Sequence, residues 1–406
     1  MNFFLPPAKA QFSWWKSVWP NLASVDFPAA VQEFLVAPKV LVGDAWVNML
    51  AEGFKGLAKA DNRKKVVLPG YSCNEFVKAI LLADLEPLFI DLDAQGKIQT
   101  HVLDALDKTE MLALLAVNTS GIASPLAELR TWCDAHQCYM VEDAGYTFLG
   151  EDENGKRFGS FGHVSIINMS EGKIIPCGGA AWVINEAALV EKYELLDRIL
   201  SDTEPLSNSK EATRLAVYRL GSSLWGYNFY QLFRKLGLGD WKARLTSEPS
   251  RLGEDYASGD LEWKEDKIVI KAAHLKILEN IRIRPWNRVR QQAALLILKS
   301  RKQLIHQRKQ KVEKYKQLLK ALPLELPPLG MPVRLPILLS VNDKQTIEKL
   351  ADRGIKKQYP PSWPMAGLDL PSSKKFYLQA FTLPLHESVT IGDIEKKSDL
   401  IRTYIR

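Results

Sequence analysis

The chain has 406 residues, 46% of them hydrophobic and 25% charged, with a formal net charge of +7. That length buries a large core and leaves room for more than one folding unit. No apolar run reaches the roughly 18 residues that span a bilayer, Met1 to Pro7 lacks the leader of a secretory signal, and Cys73, Cys133, Cys138 and Cys177 fit neither a metal site nor a disulfide framework; a soluble cytoplasmic protein is expected.

From about residue 40 to about 200 the pattern alternates between helix and strand. Val40 to Lys59 reads as a helix with Trp46, Met49, Leu50, Phe54 and Leu57 on one side. Val66-Val67-Leu68 is a short strand closed by Pro69-Gly70, and Asn74 to Ala83 is the next helix. Pro87 to Ile90 is a strand ending at Asp91, followed by a helix around His101 to Leu106. Met111 to Val117 is continuously apolar, which is the mark of a strand buried on both faces of a parallel sheet. Pro125 to His136 is a helix, Tyr139 to Asp143 a strand, and Val164 to Asn168 and Ala180 to Ile184 complete the set. Alternation of this kind predicts an α/β domain around a mostly parallel sheet.

The pattern breaks from about 200 to 270, where polar, turn-rich stretches bracket an aromatic segment with Trp225, Tyr227, Phe229, Tyr230 and Phe233. Lys299 to Lys320 follows as an amphipathic helix whose basic residues, Arg301, Lys302, Arg308, Lys309, Lys311, Lys314 and Lys316, form a wet face. Much of the positive charge sits there. A solvated face accounts for it better than a nucleic-acid surface, since no basic tail or aromatic-studded sheet motif accompanies it. Arg334 to Leu339 is a strand, Asp343 to Arg353 a helix, Gln379 to Leu383 a strand, and Val389 to Ile394 opens a last helix with Thr390 as N-cap. These elements form a smaller α+β domain. The expected division is a large domain over 1–250, including an N-terminal arm and a connecting region, and a small domain over 251–406.

The chemistry concentrates in two segments. Glu142-Asp143-Ala144-Gly145-Tyr146 closes one strand, and Asn168-Met169-Ser170-Glu171-Gly172-Lys173 follows another, with Gly178-Gly179 just beyond. In open α/β sheets ligands bind at the carboxyl ends of the strands, so an acid placed there faces the crevice. Taken singly, Asp143 reads as a turn or cap residue and Lys173 as a solvated side chain. Together they fit pyridoxal phosphate (PLP). A carboxylate keeps the pyridine nitrogen protonated, a lysine attaches the cofactor and carries a proton, and glycines admit close backbone approach.

The chain resembles the DegT/StrS-type aminotransferases over most of its length from about residue 40. The similarity rests on Val67-Leu68-Pro69-Gly70-Tyr71-Ser72-Cys73, Pro87 to Asp93, Val141 to Gly145, Gly159 to Ser165 and Leu383-Pro384-Leu385-His386. It implies the aspartate-aminotransferase fold, with a seven-stranded sheet, and a homodimer. It also implies transfer of an amino group, from glutamate in this reading, to a keto-sugar carried on a nucleotide. Lys173 falls on the family's cofactor lysine and Asp143 on the pyridine partner. Tyr146 falls where a Gln or His faces the ring hydroxyl, and Asn168 where a Ser binds the phosphate. Gly43-Asp44-Ala45 replaces a Gly-Thr pair at the phosphate helix. Cys73 replaces the ring-stacking aromatic, with Tyr71 as substitute. His386 and Arg284 are the expected substrate contacts, and Arg284 with Asn287 stands for the family's Arg and Asn that reach in from the partner subunit. Dehydratases of this family carry His at the lysine position, and Lys173 argues against that chemistry. A non-catalytic relative serving as a binding or scaffold dimer is the second reading.

Overall fold

The computed structural model describes residues 25–170, 172–213, 260–320, 334–341, 343–359, 363–386 and 389–404. The aromatic segment around Trp225 to Phe233 lies outside the described residues. Helix α1 (Phe27–Leu35) is capped by Asp26, whose carboxylate accepts from the Ala29 amide at 2.9 Å. Strand β1 (Lys39–Gly43) leads into α2 (Trp46–Ala58). The expected single helix from Val40 is therefore corrected. Val40-Leu41-Val42 carries the β-branched, fully apolar composition of a buried strand, and periodicity alone cannot separate such a run from the helix behind it.

The chain continues through β2 (Lys65–Pro69), α3 (Asn74–Leu82), β3 (Glu86–Ile90), α4 (Thr100–Asp104), β4 (Met111–Val117), α5 (Leu126–Ala135), β5 (Tyr139–Asp143), β6 (Val164–Asn168), β7 (Ala180–Ile184) and α6 (Glu194–Asp202). The strands form one seven-stranded sheet in the order β1-β7-β6-β5-β4-β2-β3. Pairings from β6 through β5, β4, β2 and β3 are parallel, whereas β7 runs antiparallel to both β6 and β1. All seven residues of β4 are buried, as its unbroken apolar run requires at the centre of a sheet covered on both faces.

Next come a hairpin of β8 (Leu261–Lys264) and β9 (Lys267–Ile270), then α7 (Ala272–Glu279), α8 (Arg288–Lys299) and α9 (Arg301–Leu319). The small domain adds β10 (Arg334–Leu338), α10 (Lys344–Asp352), β11 (Lys356–Lys357), α11 (Pro371–Gln379), β12 (Ala380–Pro384) and α12 (Ile391–Tyr404). Its antiparallel sheet has the order β10-β12-β11. Asp343 caps α10, and Thr390 and Asp393 bond reciprocally at the start of α12.

Three hydrophobic cores show which elements pack together. Leu261, Ile268, Ile270 and Leu278 pack into the core of the large sheet, and Val289, Ala293 and Ile297 of α8 join the β1–β7 side. The separate small-domain core begins at Val312. The basic helix also departs from expectation. Arg308 and Lys311 are 3% and 8% exposed, so the wet face is narrower than the charges imply. Their long stems pack inward and the Lys311 ammonium reaches the His386 carbonyl at 2.7 Å.

Candidate functional site

Asp143 is the last residue of β5 and only 2% exposed. Its Oδ1 accepts from the Gly145 amide at 3.0 Å, and its second oxygen takes no protein hydrogen bond among the described residues. Burial holds its pKa above the ordinary carboxylate value, against the opposing pull of the Lys173 ammonium and the Gly145 amide. Asn118, one residue past β4, donates to the Asp143 carbonyl at 3.2 Å and to Thr147 Oγ1 at 3.3 Å. Because Val117 pairs with Asp143 in the parallel ladder, the two strand ends arrive side by side. Asn118 thus clamps the 143–147 turn.

Lys173 lies on the loop after β6. Its Nζ sits over the Tyr146 ring, 3.4 Å from the centroid, a cation–π contact that holds the ammonium beside the Asp143 turn. Tyr146 is half-buried and its hydroxyl accepts from Gln358 Nε2 at 2.9 Å, so a residue of the small domain reaches the same spot. Asn168 ends β6; its Oδ1 accepts from the Ser170 amide at 2.9 Å, shaping the turn toward Lys173. A Cβ added at Gly145 would meet Asn168 Cβ and Asp143 Oδ1, each at 3.1 Å, so Asp143, Gly145 and Asn168 are packed together.

The other end of the crevice is built by Gly43-Asp44-Ala45. Asp44 Oδ1 accepts from the Arg284 amide at 2.9 Å, and the Asp44 amide donates to the Arg284 carbonyl at 2.9 Å. Arg284 therefore meets Asp44 through its backbone, within one chain. Ala45 is the N-cap of α2 and offers no side-chain acceptor to its first amides. Gly179, at φ +76, packs so closely that an added Cβ would lie 2.0 Å from the Gly43 carbonyl oxygen. That position admits only glycine.

The remaining expected residues take other positions. Cys73 is half-buried at the N-cap of α3; burial pushes its thiol up to about 12, opposed by the charge of Lys173. Tyr71 is 1% exposed and lies within an aromatic cluster, 5.0 Å from Tyr359 and 4.9 Å from Tyr377 between ring centroids. Tyr359 in turn stacks on Trp363 at 4.6 Å. His386 is 2% exposed in the small domain. Burial and the cations Arg334, Lys311, Arg308 and Lys397 push its pKa down to about 3, so it is a neutral imidazole. Asn287 is an N-cap, accepting from the Arg290 amide at 3.1 Å and donating to the Leu206 carbonyl at 2.8 Å.

Three residues at the crevice escape a sequence reading: Asn118, Gln358 and Tyr359. Burial holds the Tyr359 phenol well above its ordinary pKa, and Cys73, Tyr146, Tyr71 and Asp143 all lie close enough to add to that effect, which places Tyr359 among them. Asn118 was findable, since it follows a fully apolar strand at the end where Asp143 follows another. Gln358 and Tyr359 come from the other domain, and no local pattern connects them to Lys173. Several polar groups here are left for a ligand. The Tyr71 hydroxyl and Ser72 Oγ are buried without a hydrogen-bond partner, and the Tyr146 phenol finds no protein acceptor for its own proton among the described residues. With the second Asp143 oxygen and the uncapped start of α2, they suit a flat, hydrogen-bonding group with an anionic end.

The seven-stranded sheet with its smaller antiparallel domain is the fold of PLP-dependent aminotransferases. By sequence, residues 49–226 match the model of the DegT/DnrJ/EryC1/StrS aminotransferase family, which this chain resembles. The chain is 28% identical over 143 residues to a GDP-perosamine synthase of Vibrio cholerae, covering 35% of this chain and 38% of that protein. It is 23% identical over 182 residues to a UDP-4-amino-4,6-dideoxy-N-acetyl-beta-L-altrosamine transaminase of Helicobacter pylori, covering 44% and 48%. The match thus spans less than half the length of either curated relative. In structure the chain superposes on Helicobacter pylori PseC, described as an aminotransferase involved in the biosynthesis of pseudoaminic acid, with a TM-score of 0.68 and 18% identity over 99% of both chains. No helix among the described residues is long and apolar enough to cross a membrane.

Proposed function

We propose that this chain is a PLP-dependent aminotransferase that moves an amino group from an amino acid, glutamate in this reading, to a keto-sugar carried on a nucleotide. The observation that carries it is the placement of the Lys173 ammonium over Tyr146, beside the buried Asp143 carboxylate. When bound, PLP supplies an electron-withdrawing ring that eases loss of the proton from the carbon bearing the amino group. Asp143 holds a negative charge where burial makes it strong, and so keeps the ring nitrogen protonated. Lys173 Nζ is the amine that would hold the cofactor and that, once free, would take and return the substrate proton. Tyr146 keeps that ammonium in place through its ring face. The first amides of α2 and the buried Ser72 hydroxyl are the donors for a phosphate, while Asp44 is drawn aside by the Arg284 amide. Tyr359 and Tyr71 pack edge to face beside these groups and supply apolar surface there.

The amino donor leaves as its 2-oxo acid, and the carbonyl of the acceptor becomes an amine. A homodimer in the cytoplasm, with no nucleic-acid partner, is part of the same proposal. The activities for which the two relatives are named support a nucleotide-linked sugar as acceptor. Mixing PLP-loaded protein with glutamate and a panel of GDP- and UDP-linked 4-keto-sugars tests it. The expected result is stoichiometric 2-oxoglutarate together with an amino-sugar from at least one acceptor. Release of no 2-oxoglutarate would overturn the aminotransferase reading and favour a non-catalytic dimer.

A further inference from the structure

Tyr146 connects the two domains at the candidate site. Its ring carries the Lys173 ammonium at 3.4 Å, and its hydroxyl receives Gln358 Nε2 at 2.9 Å from the residue just after β11. A phenol oxygen that accepts one N–H on a lone pair has its remaining proton directed elsewhere. No protein acceptor takes that proton among the described residues. The Gln358 Oε1 is itself buried without a hydrogen-bond partner among the described residues, and the amide is held there by its one bond to Tyr146. Tyr359, the next residue, is buried on Trp363 and against Tyr71, and these contacts fix the backbone that carries Gln358. The amide is thus delivered by a rigid aromatic anchor.

We propose that Gln358 is a positioning residue: by donating to the Tyr146 oxygen it turns the phenol proton into the crevice, toward the bound group attached at Lys173. The inference rests on the cofactor reading above and deepens it. It gives the small domain a direct role in the chemistry of the lysine, because Tyr146 is oriented only when Gln358 is seated over it. The titratable groups around Tyr146 are Lys173 from the loop after β6, whose ammonium lies over the ring, Tyr71 after β2 and Tyr359 after β11, with Asp143 three residues before it at the end of β5. Gln358 is the neutral group among them, so replacing it with another neutral side chain changes the hydrogen bond without changing the charge.

The test uses full-length protein loaded with PLP, in four forms: wild type, Gln358→Met, Tyr146→Phe and the double variant. Absorbance is titrated against pH, and borohydride reduction followed by peptide mass analysis records the linkage at Lys173. In the expected result all four form the reducible linkage. The absorbance midpoint then moves by half a pH unit or more in Gln358→Met and in Tyr146→Phe, and the double variant matches Tyr146→Phe alone. A thermal melt run alongside separates loss of fold, which would lower the melting temperature without moving the midpoint. If Gln358→Met titrates as the wild type, or if the two shifts simply add, the positioning role is overturned while the cofactor reading stands. Absence of the linkage in the wild type overturns both.

Discussion

Asn118 follows the last residue of β4, Asp143 ends the adjacent parallel β5, and the Asn118 amide donates to the Asp143 carbonyl at 3.2 Å. The contact fixes the backbone of the turn that presents the carboxylate, so Asp143 is aimed by its neighbour strand as well as by its own. Asn118→Ala is expected to remove this bond and the one to Thr147, costing about 1–3 kcal/mol of stability for the buried groups left unpaired. Denaturant midpoints measure the loss. An unchanged midpoint would show that the turn holds without the clamp.

Gly179 meets the backbone of Gly43 and Asp44. An added Cβ would lie 2.0 Å from the Gly43 oxygen and 2.7 Å from Asp44 Cα, at a φ of +76. Gly179→Ala should therefore cost about 2 kcal/mol or more through strain and enforced displacement. The displacement falls on the start of α2, so PLP affinity should fall as well. Spectroscopic titration of the variant with PLP checks it, and wild-type affinity would mean that this corner takes no part in cofactor binding.

Lys78 is 0% exposed and pairs with Glu75 at 2.7 Å and Asp260 at 2.8 Å, while His274 lies 3.3 Å from the same Asp260 oxygen. This cluster pins the β8–β9 hairpin to α3. Lys78→Met leaves Asp260 largely buried without its main cation, and about 3 kcal/mol of stability should be lost. The charge of Lys78 also contributes, after burial, to lowering the His274 pKa. In the variant that pKa should rise, which a proton NMR titration of the His274 ring would detect.

Glu142 is fully buried, and its carboxylate accepts from the Gly159 amide at 2.6 Å and the Phe161 amide at 2.9 Å. Burial outweighs those bonds and pushes its pKa up to about 7, from an ordinary value of 4.5. A folded-state value above the unfolded one means that the native protein binds the extra proton. The Glu142 contribution to stability is therefore greatest below pH 4.5 and declines as pH rises toward 7. Urea midpoints of the wild type should fall relative to those of Glu142→Gln between pH 5 and pH 8, as this linkage requires. A difference that does not change with pH would contradict the assignment.

Much of the large domain is legible in the chain because its signals are local. The apolar run Met111–Val117 declares a central strand, and Asp143 and Lys173 each follow a strand end where a crevice must lie. Val40 to Gly43 was hidden because a buried strand abutting a helix shows one continuous apolar pattern. Arg308 and Lys311 were hidden because charge says where a side chain's tip can be, not where its stem packs. Gln358 and Tyr359 stand for a deeper limit. They reach Tyr146 and Tyr71 only after the small domain docks, and contacts between residues 212 positions apart leave no mark on local sequence.

The central claim is that Lys173 holds PLP, and borohydride reduction of PLP-treated protein followed by peptide mass mapping tests it most directly. The account predicts a single reduced pyridoxyl-phosphate adduct on the peptide containing Lys173, absent from Lys173→Ala. No adduct on that peptide with PLP in excess, or an equal adduct in Lys173→Ala, would contradict it.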